Sequence, residues 1–296
     1  MKKADAVFEG GGVKGLGLVG ALTVAEENGY TDWRRVAGTS AGAIVASLLA
    51  AGYSAEELKE ILMDLEYSEL LYYTRPRDVL FHPIGFFSRV FFDYGVNKSS
   101  PIRDWLEDRL GARGVESFSD LKLDNSDGSD EYSLRIIASD ITKRNMLILP
   151  EEIGKYGEDP DGLSVASAVE MSLLFPGFFK PEKLDGSYVI DGGILSNFPV
   201  WLFDQEEDPQ VPTFGFKLVG ENPPITGPIS FSKEIIYTML EAHDEEHLED
   251  LESVKIIPIS SKGISPLAFN LSKEEKQKLF ESGREAARGL WNKVGS

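Results

Sequence analysis

Three short glycine-containing stretches of this sequence hold the residue types that acyl-transfer chemistry requires. The first is Gly38-Thr39-Ser40-Ala41-Gly42, a serine between two glycines where the apolar run Val36-Ala37 gives way to the small apolar residues of 41–51. This Gly-x-Ser-x-Gly spacing predicts a strand, a tight turn and a helix, with the serine hydroxyl thrust out of the sheet edge. The glycines stand where a Cβ would collide as the helix crosses the strand. The amides and positive dipole end of that helix would favour an anion beside the serine oxygen. A Gly/Ser loop that joins strand to helix and does no chemistry accounts for the pentapeptide equally well.

The second stretch is Glu9-Gly10-Gly11-Gly12-Val13-Lys14-Gly15, which follows the strand candidate Ala6-Val7-Phe8 and precedes a small-residue helix over 16–28. Adjacent glycines let backbone N–H groups face a bound anion. Gly10, Gly12 and Gly15 satisfy the Gly-x-Gly-x-x-Gly of a dinucleotide site. However, Asp32 precedes the second strand instead of ending it, and Lys14 is not followed by Ser or Thr as a phosphate loop would have it. The preferred reading is an oxyanion hole, in which the amides of Gly11 and Gly12 take the charge that develops as Ser40 attacks a carbonyl. Two adjacent parallel strands would bring both turns to one carboxyl edge.

The third stretch is Tyr188-Val189-Ile190-Asp191-Gly192-Gly193, a strand delivering a carboxylate to its end, followed by a double-glycine turn. A serine hydroxyl needs a base. Histidine is scarce: His82 lies in an aromatic stretch, and His243 and His247 lie four apart in an acidic run with Asp244 where a metalloprotease glutamate would stand. No third ligand accompanies that pair, so no metal site and no cofactor are expected. Asp191 is therefore the best-placed base; with an ordinary pKa near 3.9 it is a weak one, so either desolvation beside the elbow raises it or preorganisation compensates.

Elements able to position these turns alternate along the chain. Strands are predicted at 6–8, 132–138, 146–149, 188–191, 213–219 and 255–259, besides the one ending in the Ser40 turn. Helices are predicted over 16–28, 41–51, 54–65, 100–110, 164–173 and 273–293. The 296 residues, 42% of them hydrophobic, suit one domain over 1–296 with a sizeable core. The stretch 72–94 departs from this texture. Its eight rings lie among Pro76, Pro83 and Gly85 without helical or alternating period, which suggests an insertion or cap at about 66–100. Phe86, Phe87, Phe91 and Phe92 are its candidate substrate contacts, and a small packed subdomain is the other reading. The polar run 124–131 reads as a solvated loop, because no glutamate completes a calcium pattern.

Composition removes several function classes. A net charge of −19 repels nucleic acid and anionic lipid, so no nucleic-acid partner is expected. The absence of cysteine excludes a disulfide framework, a thiol nucleophile and a thiolate metal site. The longest weakly polar run, 41–51, is far below the roughly 20 residues of a membrane span. The start Met1-Lys2-Lys3-Ala4-Asp5 lacks the apolar stretch of a secretory signal, so the expected location is cytoplasmic, with peripheral membrane contact where the substrate demands it. Oligomeric state is left open.

In order and spacing, the three motifs resemble the patatin-like phospholipases, a family of lipid acyl hydrolases with a Ser/Asp dyad. Gly10, Gly11, Gly12, Val13, Lys14 and Gly15 are similar to the family's glycine-rich oxyanion motif. Gly38, Thr39, Ser40, Ala41 and Gly42 are similar to its nucleophile elbow, and Asp191, Gly192 and Gly193 to its Asp-Gly-Gly. Ser40 and Asp191 stand 151 residues apart, as suits the family. Ser172-Leu173-Leu174-Phe175-Pro176 and Asn197-Phe198-Pro199 also resemble family segments flanking the aspartate. The resemblance covers most of the chain and is weakest over 72–94. It implies an α/β fold, a three-layer α/β/α sandwich with a mainly parallel central sheet. It also implies cofactor-free hydrolysis of lipid or other acyl esters, of phospholipase A, lysophospholipase or carboxylesterase type. Ser40 would be the nucleophile, Asp191 the base, and Gly11 and Gly12 the oxyanion donors. Two other classes remain open: a nucleotide- or phosphate-binding module built on residues 10–15, and a catalytically silent lipid-binding protein.

Overall fold

A computed structural model describes residues 1–70, 95–97, 99–123, 131–203, 211–220 and 254–294. The first strand, β1 (Lys2–Phe8), is buried continuously from Ala4 onward, the pattern of a strand covered on both faces. It lies between β2 (Tyr30–Thr39) and β9 (Thr213–Val219), parallel to both. Outside these, β10 (Val254–Ser260) runs parallel to β9, and β4 (Leu134–Asp140) parallel to β2. The antiparallel members gather around β4. They are β5 (Asn145–Leu149) and β8 (Ser187–Asp191), with β7 (Glu182–Leu184) completing the edge beside β8. The sheet order is β10-β9-β1-β2-β4-β8-β7, and β5 pairs with β4 off that path. Two short strands, β3 (Gly95–Asn97) and β6 (Gly177–Phe179), form a separate parallel pair.

Helices α1 (Gly15–Glu27), α2 (Ala41–Ala50) and α3 (Ala55–Asp64) pack together, with α6 (Lys273–Val294) against α1 and α3. Between them in the chain come α4 (Ser100–Gly111), with Pro101 in its first turn, and α5 (Val165–Ser172), capped by Ser164. α3 begins in the expected capping box: Glu57 accepts from the Ser54 amide at 2.9 Å, and the Glu57 amide donates back to the Ser54 hydroxyl at 3.4 Å. Alternation along the central strands divides the core. Ala4, Ala6, Phe8 and Val36 join the large cluster that also holds α1 and α2. Val7 and Ala37 face the other way, onto Phe198, Val200 and Phe203. The architecture is the expected three-layer α/β/α sandwich with a mainly parallel sheet. Among the described residues, the segment 198–203 covers the second face of β1 and β2.

The structure corrects one boundary that bore on function. Asp32 lies inside β2, paired with Lys3 of β1, instead of preceding the strand. Apolar alternation breaks in β2 because Arg34 and Arg35 stand between Trp33 and Val36, held there by the buried carboxylate of Asp5, at 2.9 and 2.5 Å. A buried ion pair hides strand from a reading based on hydrophobic alternation. The candidate cap residues Phe86, Phe87, Phe91 and Phe92, the histidines and most of the 124–131 run lie outside the described residues. Among the described residues, no grouping of acids and histidines is placed to hold a metal, and no helix is long and apolar enough to cross a membrane.

Candidate active site

Pairing of β1 with β2 sets Phe8 opposite Gly38, so the glycine-rich turn that follows β1 lies beside the turn that follows β2. Ser40 occupies that second turn as the residue before α2, with φ 52° and ψ −124°. This backbone conformation costs an L-residue about 1–3 kcal/mol, so the surroundings must enforce it. They do so from three sides. The Thr39 hydroxyl donates to Ser196 O at 3.0 Å, the Ser40 amide donates to the Ser172 hydroxyl at 2.8 Å, and the Ala43 amide closes onto Ser40 O at 2.9 Å. Gly42 makes the crossing of helix over strand feasible, since a Cβ there would overlap the carbonyl oxygens of Phe8 and Glu9. Gly42→Ala is therefore expected to destabilise the fold by about 3 kcal/mol, because the clash is with backbone that no side chain can relieve. Thermal melting checks this, and an unchanged Tm would refute it.

Asp191 ends β8 opposite Ala138 of β4. Its Oδ1 accepts from the Gly193 amide at 2.9 Å, its Oδ2 accepts from the Ser40 hydroxyl at 2.9 Å, and its own amide donates to Leu174 O at 3.0 Å. Burial pushes its carboxyl up to about 6, against the opposing pull of the Gly193 and Ser40 hydrogen bonds.

In the glycine-rich turn, Gly10 donates to Asn197 O at 3.0 Å, Val13 to Pro266 O at 3.0 Å and Lys14 to Gly11 O at 3.3 Å. Gly12 has φ 59°, and a side chain there would overlap the Pro266 carbonyl. The amides of Gly11 and Gly12 meet no partner among the described residues. Beneath the turn, the buried Glu9 carboxylate accepts from the Leu218 amide and from Asn197 Nδ2, the latter at 3.3 Å.

These groups open onto a cavity of about 290 Å³. Ser40, Asp191 and residues 9–14 line one part of it. Ile44, Tyr67, Leu173, Phe175, Phe178 and Phe269 supply apolar wall, with the rings of Phe178 and Phe269 stacked at 4.9 Å. The structure thus gathers Ser40, Asp191, Gly10, Gly11, Gly12, Val13 and Lys14 around one space. Gly38, Thr39, Ala41 and Gly42 form the turn behind Ser40, and Gly192 and Gly193 form the one behind Asp191. Gly15 begins α1 and is not part of the lining. Sequence reasoning assigned no task to Glu9, Ser172 or Asn197, and it did not foresee that residues after β10 would wall the cavity. Ser172 and Asn197 were visible only as members of family-like segments, since their contacts are entirely tertiary.

Residues 6–204 match the family model of Patatin-like phospholipase. The chain belongs to the patatin-like phospholipases. The three glycine-containing turns, at 9–15, 38–42 and 191–193, all lie within the matched residues. Over 291 residues, the chain is 36% identical to YqhO of Bacillus subtilis (strain 168), with 95% of each chain covered. It is 27% identical over 194 residues to the probable lipid hydrolase 463L of Invertebrate iridescent virus 6, covering 66% of this chain and 61% of that one. The fold recurs in VipD from Legionella pneumophila at TM-score 0.53 and 15% identity, over 99% of this chain and 67% of that one. It recurs also in the ExoU–SpcU complex of Pseudomonas aeruginosa at TM-score 0.53 and 20% identity, over 99% of this chain and 52% of that one.

Proposed function

We propose that this patatin-like phospholipase hydrolyses acyl esters of lipids through a Ser40–Asp191 dyad and an acyl-enzyme. The observation that carries the reading is the 2.9 Å hydrogen bond from Ser40 Oγ to a buried Asp191 carboxylate, made at a strained turn that faces an apolar cavity. Ser40 Oγ attacks the ester carbonyl carbon as its proton passes to Asp191 Oδ2. Charge that gathers on the carbonyl oxygen meets the amides of Gly11 and Gly12 and the positive end of α2. The Ser40 amide is engaged with Ser172 and is not one of those donors. Collapse breaks the ester C–O bond, and Asp191 returns the proton to the departing alkoxide, leaving the acyl group on Ser40. Water then attacks that acyl carbon while giving a proton to Asp191, and the acid departs as Ser40 Oγ regains its hydrogen.

The test is labelling with a fluorophosphonate probe and mass mapping of the adduct. The expected adduct is on Ser40. A silent lipid-binding protein would bind vesicles and leave Ser40 unlabelled, and that result would overturn the reading. The pH profile supplies an independent check. Only the ionised Asp191 accepts the proton, so kcat/KM on a soluble short-chain ester is expected to fall about tenfold per unit below an apparent pKa of about 6. A limb near 4, where an unperturbed aspartate titrates, would show that burial does not raise the carboxyl that takes the proton.

A further inference from the structure

Ser172 ends α5 in full burial, and its hydroxyl is used on both sides. It donates to Ile137 O at 2.6 Å and accepts from the Ser40 amide at 2.8 Å. A serine hydroxyl has one hydrogen to give, so the bond to the Ile137 carbonyl fixes the rotor and turns a lone pair toward Ser40. Ile137 belongs to β4, in register with Thr39 of β2. The hydroxyl therefore bridges the strained turn to a neighbouring strand at the level of the residue before the nucleophile. Two residues further on, Leu174 O accepts the Asp191 amide at 3.0 Å. The single turn 172–174 thus grips the backbone of Ser40 through a side chain and the backbone of Asp191 through a carbonyl.

We infer that Ser172 is a positioning residue of the hydrolytic reaction, holding Ser40 in register with Asp191 and withdrawing the Ser40 amide from the oxyanion donors. The inference rests on the reading of Ser40 as nucleophile. Without the bridge, the Ser40 amide has no partner at the end of β2, and the turn relaxes away from its strained φ. The 2.9 Å contact between Oγ and the carboxylate then lengthens. Substrate binding uses the cavity walls instead, so the defect falls on the chemical step.

The experiment compares Ser172→Ala, Ser172→Thr and Val169→Ala with wild type, by fluorophosphonate labelling rate at Ser40, by kcat and KM on a soluble short-chain ester, and by Tm. Val169 is a buried residue of the same helix and serves as a destabilised control. Ser172→Ala is expected to lower the labelling rate and kcat by about 10- to 100-fold, the cost of a misplaced nucleophile, with KM within about twofold. Ser172→Thr, which restores the hydroxyl, is expected to recover the rates to within about fivefold. Val169→Ala is expected to lower Tm while keeping both rates. Ser172→Cys fills nearly the same space with a poor acceptor and carries the comparison if the alanine variant does not fold; it is expected to label at least about fivefold slower than wild type. Wild-type rates in folded Ser172→Ala or Ser172→Cys would overturn the inference. So would an equal loss in Val169→Ala, or a folded Ser172→Thr as slow as the alanine variant. Failure of the nucleophile reading shows separately, as absence of label at Ser40 in the wild-type protein.

Discussion

Replacing Ser40 with alanine is expected to lower kcat for ester hydrolysis by about 10⁴-fold or more, because it removes the atom that bonds to the acyl carbon and leaves only the oxyanion donors and the cavity to assist water. The fold should survive, since Cβ stays in place and the bonds that fix the turn use the Thr39 hydroxyl and the Ser40 backbone. Two side effects distinguish loss of the nucleophile from collapse of the site. Alanine inherits the strained φ of 52°, whereas Ser40→Gly accepts it without penalty, so the glycine variant should melt above the alanine variant while being equally inactive. The Asp191 carboxylate also loses a hydrogen bond that favours its ionised form, so its pKa should rise further. Measurement of kcat, Tm for both variants and the carboxyl titration checks all three. An alanine variant within tenfold of wild-type turnover would remove Ser40 from the chemistry.

What the sequence made legible was whatever is encoded locally. The serine and its glycines announce their turn because steric rules leave few other residues for it, and the strand carrying Asp191 is apolar up to the acid it delivers. The capping box at Ser54 and the proline opening α4 are likewise local chemistry. The first part of β2 was hidden because its arginines are satisfied by Asp5 of a different strand. Ser172 and Asn197 were silent for a related reason. A buried serine in a helix end looks like any other until the fold brings Ser40 and Ile137 to it, and Asn197 finds Glu9 and Gly10 across 188 and 187 residues of chain. The apolar wall contributed by Phe269 depends on its stacking against Phe178, which no periodicity in either segment foretells.

Asp191→Asn should separate activity from stability more sharply than any other change. Asparagine fits the same hydrogen bonds: its carbonyl oxygen accepts from the Gly193 amide, and its NH₂ donates to Ser40 Oγ. It cannot accept the Ser40 proton, so kcat should fall by about 10³- to 10⁴-fold. The carboxylate it replaces is kept in a place that disfavours its charge. Its carboxyl is held up at about 6 in the folded protein, against 3.8 for an aspartate exposed to water. Between these values the folded protein keeps the proton that the unfolded chain releases, so stability falls as pH rises through that window. Above about 6 the full cost is present, roughly 3 kcal/mol by the free energy of a shift of this size. Asparagine carries no charge to desolvate. The variant should therefore melt several degrees above wild type at pH 8, with the difference shrinking as pH falls toward 4. A difference that does not depend on pH, or a less stable variant at pH 8, would mean that Asp191 is not a destabilised carboxylate.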